Sequence, residues 1–570
     1  MKLIKRSAAA LVIIIMLCSA LFGCSRGIRG IDGIDWNEYD ELIESIRAET
    51  DSGSRAQMLQ RAEDMLMETE CVTPLYGYRD AYLSKPELTG IFGTHYGAKY
   101  FMYADIAGDD KTITAYLGDA ADSFDPALAS TSTALTVAEN TFSGLFAHDA
   151  DGNVIPALAA ECKCSDDGLI YTITLREGIV WSDGSSLGAS DFIFSWRRAY
   201  DNQTGSPYKY LFDIIALTED GKLDLSADET DTVLTVRLKT TCGYFTELCA
   251  FPAFYPVNEA CVESAEGYMD IYDNIVDPDA WTVRANYVTS GAYIFSGTAE
   301  GKYIFKKNEN FFDAENITVD TLELSFGTDA DSAYRLYEAG DIDYLGVIPR
   351  DMHDELTGRG DYHADDVNGV YFLAYNFNCQ AFSNMTADDA AQLRRAISLY
   401  IDRKNITDTV TKNGEGIATS VIPDGIPGSE RTGHTASAGR GYFSSETEEN
   451  RREAREIIKN LGIDEDGDGV LDRAYRFTLS YLTSNSPTDI AVAQSVQQDL
   501  AELGIMVKVT AAEERVFDFE SGIYNYDIIA LGAVSYYDDA LSVLECWTTG
   551  APGNYARLGS VVIKENENAY

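Results

Sequence analysis

The stretch DGLIYTITLREGIVWSDGSSLGASDFIFSWRRAY, residues 167–200, decides the fold, because the spacing of its apolar residues changes along it. Residues 170–175 have the β-branched and aromatic pattern of a half-buried strand. A turn and a short apolar run follow, and residues 182–185 (SDGS) are a strong turn signal. Ser190 is predicted to cap a helix with Asp191 in its first turn. The apolar stripe of that helix consists of Phe192, Ile193 and Trp196.

The same stretch resembles a known family. The text DGLIYTITLREGIVWSDG followed by ASDFIFSWRRAYD is similar to the extracytoplasmic solute-binding proteins of peptide ABC importers, the oligopeptide- and dipeptide-binding family. Matching segments recur downstream, among them YEAGDID at 337–343 and YFLAYNFN at 371–378. Helix and strand patterns alternate there, which indicates an α/β fold with mixed sheets. The resemblance implies a two-lobed, periplasmic-binding-protein-like fold of type II with a hinge and an extra subdomain.

The matching segments stand in an unexpected order. Residues 36–107, which begin WNEYDELIESIRA, resemble the extreme C-terminus of the family. The text that resembles its N-terminus begins only at Thr112, with TITAYLGDAADSFDPALAS. Circular permutation is the simplest explanation, with the old termini joined through the polar loop 107–111. A tandem duplication cut short, or a gene-model artefact, is the alternative.

These comparisons along the chain predict a domain organisation. The predicted divisions are a lipoprotein signal peptide at 1–23, a tether at 24–35, a segment at 36–110 that packs on the first lobe, the first lobe itself at 111–146 and 256–370, its extra subdomain at 147–255, the second lobe at 371–535, and a return to the first lobe with a C-terminal tail at 536–570.

The N-terminus has the pattern of a targeting segment. Basic residues at positions 2, 5 and 6 precede the apolar run 8–20, which is too short to span a bilayer comfortably. The following LFGC matches the bacterial lipobox, and this resemblance implies cleavage before Cys24 and lipidation of its sulfur. An ordinary secretory signal or an uncleaved anchor is the alternative. We therefore expect a protein held by lipid on the extracytoplasmic face of the bacterial membrane.

Composition narrows the classes of function. The chain of 570 residues has 92 acidic and 44 basic side chains, a formal charge of −48, and this charge argues against a nucleic-acid partner. It has five histidines and lacks GxSxG, HExxH, Walker and dinucleotide-binding motifs, so an enzyme is disfavoured. Eight cysteines remain beyond Cys18 and Cys24, and free thiols are the default prediction. We expect a monomer.

The resemblance also implies where a ligand binds. An extended peptide would lie between the lobes, paired through its backbone with the cleft walls, and an ABC permease would receive it. The cleft segments carried over from the family are Ser130 to Ser132, Tyr208, Tyr76 or Tyr78, Asn554, and the stretch 532–539 with Ser535, Tyr536, Asp538 and Asp539. The alternative for each residue is a surface or packing role.

The stretch GAVSYYDD at 532–539 departs from the family pattern GW..DY.DP. In the family the first Asp of that pattern neutralises the α-ammonium group of the ligand, and Tyr536 occupies its position here. A buried ammonium group without a carboxylate partner is costly. We therefore predict that Asp538 or Asp539 replaces this anchor, unless the ligand is not an ordinary free peptide.

An acidic run, DEDGDGVLD at 464–472, copies the first half of an EF-hand calcium loop. Its twelfth position is Tyr475, so the bidentate Glu of such loops is absent. A weak calcium site is one prediction, and a solvated acidic turn is the favoured alternative. The calcium ligands would be Asp464, Asp466, Asp468 and Asp472. No other cofactor is predicted.

Two further functions stay open beside peptide import. The protein would be a sensory lipoprotein if it presented a ligand to a receptor instead of a transporter. It would be a non-binding relative if permutation or truncation had destroyed the cleft.

Overall fold

The computed structural model describes residues 36–559, except residues 50, 273, 284–286, 384, 425 and 427–441. The predicted signal peptide, the tether, Cys24 and residues 560–570 lie outside the described residues. Within the described part of the chain, every helix is too short or too polar to cross a membrane.

The described helices alternate with strands along most of the chain, as the pattern predicts. In chain order they are α1 (Trp36–Ala48), α2 (Ser52–Glu68), α3 (Ser132–Thr141), α4 (Ala189–Tyr200), α5 (Phe245–Leu248), α6 (Glu259–Ser264), α7 (Ala330–Ala339), α8 (His353–Leu356), α9 (Ala387–Tyr400), α10 (Arg403–Asn405), α11 (Thr447–Asn460), α12 (Pro487–Glu502), α13 (Glu514–Gly522) and α14 (Leu541–Leu544).

The described strands range from short pairs to two long strands in one large sheet. They are β1 (Val72–Ser84), β2 (Leu88–Thr89), β3 (Phe92–Gly93), β4 (Lys99–Tyr100), β5 (Asp105–Ile106), β6 (Thr112–Tyr116), β7 (Phe146–His148), β8 (Val154–Pro156), β9 (Ala159–Cys164), β10 (Ile170–Leu175), β11 (Leu225–Ala227), β12 (Val233–Arg237), β13 (Tyr293–Ala299), β14 (Lys302–Lys307), β15 (Thr321–Ser325), β16 (Tyr344–Leu345), β17 (Tyr362–Tyr375), β18 (Gly416–Ile417), β19 (Thr478–Ser484), β20 (Met506–Ala512) and β21 (Ile528–Val534).

One mixed sheet runs through both lobes. Its strand order is β13-β14-β15-β6-β16-β1-β17-β21-β19-β20, and β18 pairs with β1. The strands β6 and β15 are parallel, as are β19 and β20, whereas the central strands β1 and β17 are antiparallel. A second sheet, of order β11-β12-β10-β9, belongs to the extra subdomain. The fold is therefore the mixed α/β architecture that the sequence predicts.

The two long strands pass from one hydrophobic core to another. The first residues of β1, through Tyr76, lie in the second-lobe core with Leu479 and Ile528, whereas Leu83 packs with Tyr116 in the first lobe. Between these ends the burial of β1 falls, and its register with β17 shifts on both sides of Gly77. These two strands therefore form crossings between the lobes.

Residues 36–110 do not pack only on the first lobe, in contrast to the prediction. The apolar face of α1 enters the second-lobe core, where Trp36 donates a hydrogen bond to the carbonyl of Trp547 (3.0 Å) and Tyr39 donates to that of Leu544 (2.7 Å). The amphipathic helix needs an apolar partner, and the chain after Asp539 supplies it in the same core. Residues 540–558 thus stay with the second lobe, and only the part from Ala81 onward reaches the first.

The stretch 167–200 folds as predicted except at the start of its helix. The strand β10 matches the predicted 170–175, and Trp196 is buried. The predicted cap at Ser190 is wrong, because α4 begins at Ala189 with Gly188 at the N-cap. The Ser190 hydroxyl donates to Asp231 instead (2.7 Å). A Cβ at position 188 would lie 2.0 Å from an Asp231 carboxylate oxygen and 2.9 Å from the Asp231 carbonyl oxygen, so a larger residue there would displace Asp231.

Candidate ligand site between the lobes

Asn368 ties the crossing strand β17 to the turn between β3 and β4 and to the segment after β21. It lies on β17, and its backbone N–H donates to the carbonyl of His95 (2.7 Å) in the turn between β3 and β4. Its carbonyl accepts from the N–H of Ser535 (2.7 Å), just after β21. Its side-chain amide donates to Asp538 Oδ1 (2.8 Å). The predicted anchor segment is therefore fixed directly to a crossing strand.

The structure separates the two candidate anchor carboxylates. Asp539 accepts two hydrogen bonds from the Arg55 guanidinium, at 2.6 and 3.0 Å, so its charge is already neutralised. Asp538 is half-buried, and none of the described lysines and arginines lies within ion-pair distance of it. Burial, reinforced by the neighbouring Glu247, raises the pKa of Asp538 to about 7. Asp538 is thus the one of the two carboxylates without a lysine or arginine partner among the described residues.

Tyr536, at the position of the family's usual Asp, forms part of an aromatic wall. Its ring packs edge-on against Tyr208 (centroids 5.2 Å apart) and at a tilt of 45° against Phe251 (5.1 Å). The Tyr208 hydroxyl donates to the carbonyl of Ala129 (2.6 Å), next to the exposed Ser130 and Ser132. The wall and these serines therefore share one region, although the Ser130 hydroxyl itself donates to Asp122.

In three other predicted ligand residues, the polar group or the ring already contacts other residues of the protein. The Asn554 amide donates to the carbonyls of Trp547, Thr548 and Leu558, and the Ser535 hydroxyl donates to the carbonyl of Tyr537. Tyr76 is 2% exposed and stacks on Tyr371. Direct ligand contact by Asn554, Ser535 and Tyr76 stays a prediction.

Two cavities lie where the lobes meet. One of about 220 Å³ is lined by Tyr78, by the crossing strands and by residues 416–420. The other, of about 250 Å³, lies between α1 and the subdomain, with Tyr210, Tyr537 and Glu545 in its wall. Both are smaller than the roughly 300–1,000 Å³ usual for ligand pockets. Neither would hold an extended peptide without a movement of the lobes.

A buried cluster beside Asp538 was missed by sequence reasoning. His148 Nε2 lies 2.8 Å from Glu247 Oε1, and His95 Nδ1 lies 3.9 Å from the same oxygen. Burial lowers the pKa of His95 to about 4. Burial alone would lower the pKa of His148 and raise the pKa of Glu247. Their hydrogen bond outweighs burial, so the pKa of His148 is raised and the pKa of Glu247 is lowered. No local motif in the sequence signals this cluster, because its members lie far apart in the chain.

The acidic loop brings three of its carboxylates close together. One carboxylate oxygen each from Asp464, Asp466 and Asp468 lie within 4.8 Å of one another. Asp472 accepts a hydrogen bond from the backbone of Glu465 (2.7 Å) and is not part of that group. Calcium binding stays a prediction.

The eight described cysteines form no disulfide, and four of them are buried: Cys71, Cys242, Cys249 and Cys379.

The fold and this site define an α/β binding protein whose lobes are joined by crossing strands. The chain belongs to the bacterial extracellular solute-binding proteins, family 5, whose model for the middle region matches residues 153–555. It is 27% identical over 448 residues to the oligopeptide-binding protein OppA of Bacillus subtilis (strain 168), covering 76% of each chain. The predicted family is therefore confirmed.

Solved structures agree on the fold. The murein tripeptide binding protein MppA of Escherichia coli superposes with a TM-score of 0.64 at 24% identity, over 79% of this chain and 84% of that one. Listeria monocytogenes OppA bound to peptide gives a TM-score of 0.63 at 25% identity, over 79% and 86%. The predicted type II architecture is confirmed.

Proposed function

We propose that this protein is a lipid-anchored peptide-binding protein that captures extended peptides outside the cell and delivers them to an ABC permease. Family membership and the peptide-binding relatives support the ligand class. The lipobox ending at Cys24 supports the anchor. Closure of the two lobes would enclose the peptide, and backbone pairing would hold it without strict sequence preference.

The observation that carries this proposal is the state of Asp538. It is a half-buried carboxylate without a lysine or arginine partner among the described residues, it stands two residues after the position that the resemblance aligns with the family's anchor, and Asn368 orients it. An α-ammonium group supplies the missing positive charge and hydrogen-bond donors. Asp539 cannot do so without giving up its pair with Arg55.

Replacing Asp538 should weaken the binding of peptides with a free N-terminus. We expect Asp538→Asn to reduce affinity about 10- to 100-fold, because a hydrogen bond to a charged group is lost. The measurement is isothermal titration calorimetry against a defined peptide pool, with N-acetylated peptides in parallel. The wild type should prefer the free amine, and the variant should not distinguish the two.

Asp539→Asn is the matched control for this substitution. It removes a neighbouring carboxylate of the same size, and it breaks the Arg55 pair. We expect it to lower the melting temperature but to keep the preference for a free N-terminus. The assignment of Asp538 as the anchor would be contradicted if Asp539→Asn lost the preference for a free N-terminus and Asp538→Asn kept it.

Affinity for such peptides should fall when the pH drops from 7.5 to 5.5. The pKa of Asp538 in the free protein is about 7, whereas an ammonium partner holds the ionised form, so binding below pH 7 must release a proton. The loss of affinity approaches tenfold per pH unit below pH 7, and the peptide amine, with a pKa of about 7.7–8.0, is mostly charged at pH 7.5 and fully charged at pH 5.5. Calorimetry at four pH values between 7.5 and 5.5 measures this fall in affinity. Because His148 and Glu247 also face this carboxylate, Asp538→Asn is the reference, and its profile should be flatter.

A further inference from the structure

Three side chains from separate segments converge on one point beside the anchor segment. His95 lies in the turn between β3 and β4, His148 ends β7, and Glu247 lies in α5. Each offers one ligand atom, and these atoms all lie within 4.8 Å of one another. The side chains are 14%, 3% and 14% exposed, so the point is largely shielded from bulk water.

The spacing of these atoms suits a metal ion. Bonds of about 2.0–2.2 Å to imidazole nitrogen and carboxylate oxygen place tetrahedral donors roughly 3.3 Å apart. The distances from Glu247 Oε1 to His148 and His95, 2.8 and 3.9 Å, fall on either side of that value. The two imidazole rings are nearly perpendicular, at 84°, with centroids 5.2 Å apart. The three ligand atoms, within 4.8 Å of one another, are thus near enough for one ion to lie between them.

Hydrogen bonding does not account for the convergence of all three groups. The facing nitrogen of His148, Nε2, lies within hydrogen-bond distance of Glu247 Oε1 (2.8 Å), whereas the facing nitrogen of His95, Nδ1, is 3.9 Å from the same oxygen, too far for a hydrogen bond. His95 is therefore held near this point without a hydrogen bond to Glu247. We propose that His95, His148 and Glu247 bind one divalent transition-metal ion of the zinc type, with a fourth position open to water.

The donor set and the location define what such an ion would do. Imidazole and carboxylate together favour zinc and related first-row ions over calcium and magnesium, which prefer oxygen ligands only. The ion would tie the 94–98 turn to the subdomain that carries His148 and Glu247. Asp538 lies close enough to Glu247 for that carboxylate to raise its pKa, so the ion would lie beside one wall of the candidate cleft. Zinc binding at this point would not require a bound peptide.

Zinc titration of the purified, chelator-treated protein tests the site. We expect one equivalent of Zn²⁺ to bind and the melting temperature to rise. His148→Gln and Glu247→Gln should each weaken binding at least about 10-fold. Two control variants lie outside the cluster. His363→Gln removes an imidazole that stacks on Tyr82, and Asp464→Asn removes a carboxylate of the acidic loop. Both should bind zinc as the wild type does.

X-ray absorption of the zinc-loaded wild type gives a readout that needs no variant to fold. Two imidazoles and only nitrogen or oxygen neighbours should surround the ion. A zinc shell without imidazole, unchanged affinity in His148→Gln, or no saturable binding by the wild type would each overturn the proposal.

Discussion

Deleting residues 36–106 is expected to abolish cooperative folding, whereas moving them to follow Gly559 is expected to restore it. The deleted segment contains β1, which lies between β16 and β17 at the centre of the large sheet. Its removal would leave β17 without its longest pairing, from Val72↔Ala374 to Leu83↔Tyr362. Both lobes would lose one of their crossings.

The energetic loss exceeds what a domain can tolerate. The segment contributes many large side chains to the second-lobe core: Trp36, Tyr39, Ile43, Ile46, Leu59, Leu66, Val72, Leu75 and Tyr76. Each buried apolar side chain of this kind contributes about 1.5–3 kcal/mol. Their sum reaches or exceeds the whole stability of a typical domain, about 5–15 kcal/mol. The deletion variant should therefore be insoluble or unfolded.

The relocated segment should fold because its new joint is already closed in space. A Cβ on Gly559 would lie 2.7 Å from a Trp36 ring carbon, so the two positions are in contact. At its other end the segment leaves through the exposed loop 107–111, which tolerates a break. We propose that the chain is a circular permutation of the family order, and relocation would reverse it. A Gly/Ser linker would replace the direct joint.

Circular dichroism, thermal unfolding and peptide titration compare the three chains. The relocated chain should melt within a few degrees of the wild type and bind the same peptides, and the deletion chain should do neither. A deletion chain that unfolds cooperatively would show that the segment is dispensable, which contradicts the proposal. A relocated chain that fails to fold would show that residues 36–106 cannot be joined after Gly559, which also contradicts the proposal.

Local patterns predicted single elements better than their pairing. The alternation of residues 170–175 predicted β10 correctly, because Ile173 and Leu175 on one face are buried and the other face is partly exposed. Pro74 and Gly77 interrupt the alternation of apolar residues in this part of the chain, yet the structure has one strand, Val72–Ser84. Pairing with β17 on both sides of the interruption holds it extended, and that partner lies about 290 residues further along the chain.

The candidate site shows the same limit. The stretch 532–539 pointed to a pair of aspartates, but its text could not choose between them. The choice rests on Arg55, which lies 484 residues from Asp539 in the sequence. His95, His148 and Glu247 likewise carry no motif spacing. Contacts of this kind depend on the pairing of distant strands in the large sheet, which local residue patterns do not specify.

A buried ion pair links two of the segments that carry the family resemblance. Asp125, from SFDPAL, pairs with Arg198, from SWRRAY, and their side chains are 0% and 3% exposed. Trp281 also donates to Asp125 (3.2 Å), and the Arg198 guanidinium donates to Tyr268 (3.1 Å) and to the carbonyl of Pro278 (2.8 Å). The pair thus fixes the residues before α3 to the subdomain helix α4.

Asp125→Ala is therefore expected to destabilise the protein by about 3–5 kcal/mol, because it leaves the Arg198 charge buried without a counter-charge. Denaturant unfolding of the purified protein measures the loss. The double variant Asp125→Ala/Arg198→Met should recover part of it, since it also removes the uncompensated charge. Glu38→Gln is the exposed counterpart. It breaks a pair with Arg61 whose side chains are 50% and 60% exposed, and it should cost less than about 1 kcal/mol. Equal losses in Asp125→Ala and Glu38→Gln would mean that water reaches Arg198, and the subdomain would then be held to the first lobe by apolar packing alone.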